Sequence, residues 1–376
     1  MTKVQRLCSI VMSLILCVML FFFRNPLQFY DNLYMRFPLY RYLQRKAEEA
    51  FTQADSDTSE EIIVKNAEFL EQQIREENTE KENTQVEETE NLQPAEKQEE
   101  PQNNALMEAA ARRLPQPVVD LSMERLADYH YLCSEFFIVD ADTRTNPQQL
   151  NAQKFLEKDL SMKKDSSHPQ ILIYHSHSQE TFADSRNGVE EDTIVGVGSY
   201  LTEILRGTYG YQVIHIKEQF DLAGGVMDRS SAYDYAREHI ENVLAEHPSI
   251  EVVIDLHRDG VAEDRHLVTE INGKDTAQIM FYNGLSYTVN YGYVDYLPNP
   301  YIEDNLAFSF QLEYQAALYY PEFYRGIYLA GLRYNLHLRP RALLLEAGAQ
   351  TNTVQEVKNA MEPFADILYR VLEGTG

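Results

Sequence analysis

The sequence predicts an α/β fold: an open, mainly parallel twisted sheet with helices on both faces. Three observations lead there. From Pro169 onward, unbroken apolar runs of strand length alternate with segments whose apolar positions recur at helical spacing. Strands alternating with helices point to a parallel sheet covered on both sides. Finally, His177, Glu180, His257 and Glu346 each lie just beyond the end of such a run, where open α/β sheets build their sites.

The elements follow in order. Asp120 to Tyr131 is expected as a helix, Phe136 to Val139 as a short strand, Thr143 to Pro147 as a turn, and Leu150 to Leu160 as an amphipathic helix. Ile171 to Tyr174 is the first regular strand. It leads through a His/Glu loop to a helix over Thr193 to Arg206, where Ile194, Val197, Leu201 and Leu205 share a face. Gly210-Tyr211 closes that helix, and Gln212 to Ile216 is the next strand. Residues 230–246 form a helix with Ala232, Tyr235, Ala236, Ile240 and Val243 on one side, and Pro248 precedes the strand Val252 to Leu256. Gln278 to Tyr282 is a strand, 303–319 and 321–335 are helices, Ala342 to Leu345 is a strand, and Thr353 to Leu372 is the closing helix.

Ahead of these elements the chain changes character. Residues 7–23, from Leu7 to Phe23, carry no charge, which is the short limit for a membrane-spanning helix. No small-x-small site follows them, so an uncleaved anchor is expected rather than a cleaved signal. Lys3 and Arg6 precede the stretch while Arg24, Arg36, Arg41, Arg45 and Lys46 follow it, and basic residues alone leave its orientation open. The net charge of −26 is concentrated next: Glu48 to Asn104 holds eighteen acidic and four basic residues. Such a stretch buries too little apolar surface to offset its ordering entropy and is expected as an extended tether. Its acidity argues against nucleic acid as a partner. The expected organisation is a cytoplasmic stub and anchor (1–24), a juxtamembrane segment (25–47), the acidic tether (48–115), a lead-in segment (116–168) and a catalytic domain (169–376). Of three cysteines only Cys133 lies outside the anchor, so no disulfide framework is available.

Two imidazoles and one carboxylate form a recurrent catalytic zinc set that leaves a coordination position for water. His177 and Glu180, three apart after a strand, and His257, ending another, supply that set. His175 shares the His-Ser-His run and either histidine could be the ligand; His177 lies beyond the strand and is paired with Glu180, so His175 would support it or touch substrate. Asp255 and Asp259 flank His257 and would support it or stand in as ligands, although an ion-paired turn is the plainer reading of that run. Arg258 would hold a substrate carboxylate or steady the charge on an attacked carbonyl. Glu346 would move protons to and from the water. The abundant tyrosines, Tyr282, Tyr287, Tyr291, Tyr293 and Tyr296 among them, could line a groove for sugar rings or serve as ordinary core and surface aromatics.

Three runs carry a family resemblance: Ile171 to Glu180, Val253 to Gly260, and Arg333 to Thr353. In these, and in the anchor-plus-tether layout, the chain resembles the stage II sporulation protein P family of endospore-forming bacteria. The resemblance implies a fold similar to zinc N-acetylmuramoyl-L-alanine amidases. It also implies cleavage of the amide between glycan and stem peptide, and of peptide cross-links, during engulfment. By position it implies Zn2+ on His177, Glu180 and His257 with Glu346 as the proton-transferring carboxylate. It further implies a catalytic domain outside the cytoplasmic membrane at the sporulation septum, with stage II sporulation proteins D and M as partners. A metal-dependent amidohydrolase of another substrate class and a non-catalytic peptidoglycan-binding scaffold are the competing expectations. For the amidohydrolase barrel, the chain after Pro169 is short for eight strand-helix units, and further metal ligands are missing.

Overall fold

The computed structural model describes residues 106–107 and 113–374, except 224, 225 and 230. The expected anchor at 7–23, the juxtamembrane segment and most of the acidic tether lie outside the described residues. Among the described residues no helix is long and apolar enough to cross a membrane.

Seven strands make the main sheet: β1 (Phe137–Val139), β2 (Ile171–Tyr174), β3 (Val213–His215), β4 (Val252–Asp259), β5 (Ile279–Gly284), β6 (Tyr324–Ala330) and β7 (Arg341–Ala349). Their order is β1-β6-β5-β7-β4-β2-β3. Every neighbouring pair is parallel except β7 and β5. The sheet is therefore open and mainly parallel, as expected, and reverses direction once, at the seam between β5 and β7. Among the described residues the helices that follow are α1 (Met123–Leu126), α2 (Tyr129–Phe136), α3 (Ala152–Glu157), α4 (Ile194–Gly207), α5 (Ala232–Glu246), α6 (Ile302–Tyr319) and α7 (Val354–Leu372).

The two-residue period of the strands divides their apolar side chains between two faces. Ile173, Ile254, Leu256, Leu345 and Phe281 pack with Val197 and Leu201 of α4, Phe308 and Phe310 of α6, and Phe364 of α7. Leu172, Val253, Ala342 and Leu344 face the other way, onto Ala236, Ile240 and Leu244 of α5. Each fully buried aliphatic side chain contributes about 1.5–3 kcal/mol, and this double burial explains why the strands read as unbroken apolar runs. Helix α7 starts on a capping box, in which Thr353 accepts from the Glu356 backbone N–H while Glu356 answers to the Thr353 N–H.

Three expectations need correction. Residues 321–335 are not helical: Tyr324–Ala330 is strand β6, held between β1 and β5. A strand of seven residues, with Arg325 and Gly326 among its apolar side chains, shows no clean two-residue period that separates it from a helix. The lead-in segment 116–168 is part of the sheet, because β1 is its edge strand beside β6 and Phe155 of α3 lies 5.5 Å from Phe310 of α6. A boundary at 169 therefore divides a single sheet. Lastly, β4 and β7 extend past the expected ends at Leu256 and Leu345, so His257 and Glu346 sit on strands rather than in loops.

Candidate metal centre

β2 stops at Tyr174 because the next side chains are spent on neighbours other than a strand partner. The Ser176 N–H and hydroxyl both donate to Asp255, the former at 2.9 Å. Ser178 donates to buried Asp221 at 2.6 Å and the Gln179 N–H to the same carboxylate at 3.2 Å, which anchors the turn carrying His177 and Glu180. On β4, alternation places Val253, Asp255 and His257 on the α5 face. On β7, Glu346 is the register neighbour of His257.

His177, Glu180 and His257 come together with their donor atoms within 4.8 Å of one another. His177 Nδ1 is 3.6 Å from Glu180 Oε1, and His257 Nδ1 is 3.7 Å from Glu180 Oε2. Asp255 accepts from His257 Nε2 at 2.7 Å, which turns Nδ1 toward the cluster. The Arg258 backbone N–H donates to Glu180 Oε2 at 2.9 Å.

Burial and neighbouring charges set the protonation of the cluster. Glu180 is buried, yet hydrogen bonds from His177 and His257 and the charge of Arg258 outweigh that burial and hold its carboxyl well below the usual range. Burial opposes the charged form of His257 as well, but Asp255 and Glu180 together raise its pKa well above the ordinary histidine value. Burial holds His177 below its usual value, against the pull of Glu180. Burial also pushes the Glu346 carboxyl up to about 8, with Glu180 and Asp259 adding to the rise and His257 opposing it. Glu346 Oε2 is shut from solvent and has no partner, and His177 Nε2 is likewise buried and unpaired.

These residues fit zinc. Bonds of about 2.0–2.2 Å at tetrahedral angles set donor atoms roughly 3.4 Å apart, close to the observed 3.6 and 3.7 Å. For two imidazoles and one carboxylate to share an ion, the Arg229 guanidinium must give up its contacts with His177 Nδ1 and Glu180 Oε1.

The other expected residues fall elsewhere. His175 is fully buried, its Nδ1 on the Leu256 carbonyl at 2.8 Å and its Nε2 on His215 at 2.9 Å, so both nitrogens are engaged behind the site and it is not an alternative ligand. Asp259 pairs with Arg325 at 2.7 Å. The Arg258 guanidinium rests on the carbonyls of Thr181 and Asp259; its backbone, not its side chain, reaches the cluster. Two residues that pattern reading passed over do reach it. Arg229 donates to Glu180 Oε1 at 2.7 Å and approaches His177 Nδ1 at 2.9 Å. Tyr233, in the first turn of α5, sets its ring edge-on to His177 at 5.4 Å and nearly parallel to His257 at 6.3 Å. Arg229 sits in a polar run without periodicity, so no signal marked it. Tyr233 follows a run of serines that announces a helix start, which was its one available signal.

Comparison with known proteins covers the stretch of chain that holds these residues. The family model described as Stage II sporulation protein P matches residues 32–369. Stage II sporulation protein P of Bacillus subtilis (strain 168) is 24% identical over 211 residues, 52% of this chain and 49% of that protein, so the match spans about half of the relative's length. Among solved structures, the catalytic domain of CwlV, an N-acetylmuramoyl-L-alanine amidase from Bacillus (Paenibacillus) polymyxa var. colistinus, is similar at 12% identity. That alignment covers 55% of this chain and 97% of that one, with a TM-score of 0.30. The N-acetylmuramoyl-L-alanine amidase AmiC2 of Nostoc punctiforme is similar at 16% identity, over 57% and 98%, with a TM-score of 0.31. Superpositions that loose carry no weight for the chemistry.

Proposed function

Because the chain belongs to the stage II sporulation protein P family, we propose that it is a zinc-dependent peptidoglycan hydrolase. Its reaction is cleavage of the N-acetylmuramoyl-L-alanine amide, and of stem-peptide cross-links, during engulfment in spore formation. The observation that carries this reading is the meeting of His177, Glu180 and His257, from two distant stretches of chain, with donor atoms within 4.8 Å. Zinc bound there would lower the pKa of a water and polarise the scissile carbonyl. The chain's own residues do the rest. Asp255 fixes the tautomer of His257, and the Arg258 N–H and Arg229 orient the Glu180 carboxylate. Glu346, beside His257 on the neighbouring strand, takes the proton of the attacking water and returns it to the departing amine. An amine leaves slowly without that proton, so this step belongs to a positioned carboxyl with a pKa near neutral.

In this reading residues 7–23 anchor the protein in the cytoplasmic membrane and the acidic stretch spaces the catalytic part from it, on the wall side. Stage II sporulation proteins D and M are the partners proposed through the family. The apolar stretch and the family membership support this placement.

The test is to incubate the purified full chain with sacculi, with and without a chelator, and to identify released fragments by mass spectrometry. Soluble muropeptides with a free muramoyl carboxyl, lost on chelation and restored by zinc, are expected. Glu346→Gln should retain its metal and lose activity by about 10²–10⁴-fold. Co-sedimentation with sacculi and no release would make the protein a wall-binding scaffold instead.

A further inference from the structure

The α5 face of the sheet is unevenly covered. The one α-helix in its apolar cluster, α5, lies over β2, β4 and β7. Toward β5 and β6 the face carries tyrosines instead. Tyr233, nearly parallel to His257, meets Tyr334 at 5.5 Å; Tyr334 meets Tyr282 of β5 at 4.9 Å; and Tyr282 stacks on Tyr328 of β6 at 4.8 Å and 22°. All four are partly buried, and Tyr233, Tyr334 and Tyr282 pack against the apolar cluster under α5, so the row is the outer rim of that cluster. Four separate segments converge to make it. Tyr334 and Asn335 both adopt positive φ, 52° and 58°, a conformation uncommon for residues other than glycine. That turn sets the Tyr334 ring into the row, and Asn335 fastens it by donating to the Tyr233 carbonyl at 2.7 Å.

The sheet order lays this out as a line. The His177/Glu180 turn, with Arg229, follows β2; His257 is on β4, Glu346 on β7, Tyr282 on β5 and Tyr328 on β6. Beyond β6 comes β1, followed by Asp140, which accepts the Tyr328 hydroxyl, and by Asp142, whose carboxylate lies against Gly331. The far end is thus acidic, and the end at β2 carries a guanidinium. Stem peptides bear carboxylates, whereas a glycan of N-acetylhexosamines is uncharged and presents flat C–H faces and hydroxyls. Partly exposed phenol rings supply no positive charge for the former, and offer the latter apolar ring surface and hydroxyl partners.

Building on the hydrolase reading, we propose that the row Tyr233–Tyr334–Tyr282–Tyr328 is the glycan subsite, so that substrate lies across the strands with its sugars toward β6 and its peptide toward Arg229. From β4 to β6 are three strand spacings of about 4.8 Å each, room for roughly two or three sugar rings beyond the cleaved bond.

The test uses the full chain and two probes: a peptide-free tetramer of N-acetylglucosamine and a free stem tetrapeptide, with binding measured by calorimetry. The tetramer should bind the wild type. Tyr328→Ala and Tyr282→Ala should each weaken it about tenfold, while Tyr328→Phe, which keeps the ring, stays within about twofold. Saturation transfer from tyrosine ring protons to sugar ring protons in the wild type gives an answer even where a variant does not fold. Tetramer binding unaffected by both alanine variants, absence of tetramer binding, or tetrapeptide binding that depends on Tyr328 would each overturn the assignment. A tetramer bound in a Tyr328-dependent way by a protein that releases nothing from sacculi would leave the subsite standing and sink the hydrolase reading.

Discussion

Asp255 decides which nitrogen of His257 faces Glu180. Its 2.7 Å contact to Nε2 is itself held by the Ser176 N–H and hydroxyl, so the ring has no freedom to flip. Asp255→Asn keeps the shape but lets the amide donate to the ring nitrogen, favouring the wrong tautomer. Retention of zinc, read by competition with a chromogenic chelator, should fall about 10–100-fold, and the thermal midpoint of the ion-free chain should fall too, because buried His257 loses its charge partner. A second residue acts on stability alone. Glu313 of α6 is fully buried with neither carboxylate oxygen partnered, and burial raises its pKa well above the ordinary 4.5. The folded state thus holds this proton more tightly than the unfolded one. The contribution is intact below about pH 4.5 and is lost as pH climbs toward the folded-state value. Glu313→Gln removes the slope, so the variant should gain on wild type between pH 5 and pH 8, by about 1–3 kcal/mol at the upper end; denaturant melts across that range check it. A gain that is flat with pH would mean that Glu313 is not the titrating group. Residues such as His177, Glu180, His257 and Glu346 were legible because each follows closely on an apolar run of strand length. Glu313 was not, since a lone carboxylate in a helical pattern has the same sequence signature whether it faces water or core. Arg229 was invisible for the opposite reason: its neighbours carry no such run.

Among the elements, α4 depends on a contact its own propensity opposes. Gly198 sits inside the helix, where alanine would be better by about 1 kcal/mol on intrinsic grounds. A Cβ there would stand 2.7 Å from His175 Nε2 and 2.8 Å from His215 Nε2, inside van der Waals contact with two rings that are hydrogen-bonded to each other. Overpacking of that kind costs about 1–3 kcal/mol, so packing wins: Gly198→Ala should lower the thermal midpoint by several degrees, and a midpoint equal to or above wild type would contradict it. Helix α4, by contrast, was legible to within a residue, because Ile194, Val197, Leu201 and Leu205 repeat at the helical period and are all buried. Strand β6 was misread for want of any such period. It contains Gly326 at φ 114°, beside the register shift between Tyr324 and Ile327 where it pairs with β5. A backbone irregularity of this type breaks the two-residue alternation that would have marked a strand. The hairpin pairing Val268–Ile271 with Lys274–Ala277 was overlooked although its signal was present: Asn272-Gly273, both at positive φ, is a preferred two-residue hairpin turn.

At the scale of the whole molecule, the sheet joins two sets of parallel strands, β7-β4-β2-β3 and β1-β6-β5, and the centre lies just inside the first set at the reversal. The second set has its own cover on the face opposite the tyrosines. Phe136, Phe137 and Phe155 of the lead-in gather around Phe310 of α6, at 5.3, 6.2 and 5.5 Å. Phe136, Phe155 and Phe310 are each 0–1% exposed. A chain begun at residue 169, where the regular alternation starts, would strip β1 from the edge of β6 and bare that aromatic nest. Each fully buried aromatic is worth about 1.5–3 kcal/mol, and three of them approach the 5–15 kcal/mol by which a domain is stable at all. The fragment 169–376 should therefore aggregate or show no cooperative melt, whereas 113–376 should melt in one step, and scanning calorimetry of the two distinguishes them. A cooperative transition in the shorter fragment, within a few degrees of the longer, would show that β5 and β6 hold without their edge. The tyrosine row would then rest on the central strands alone.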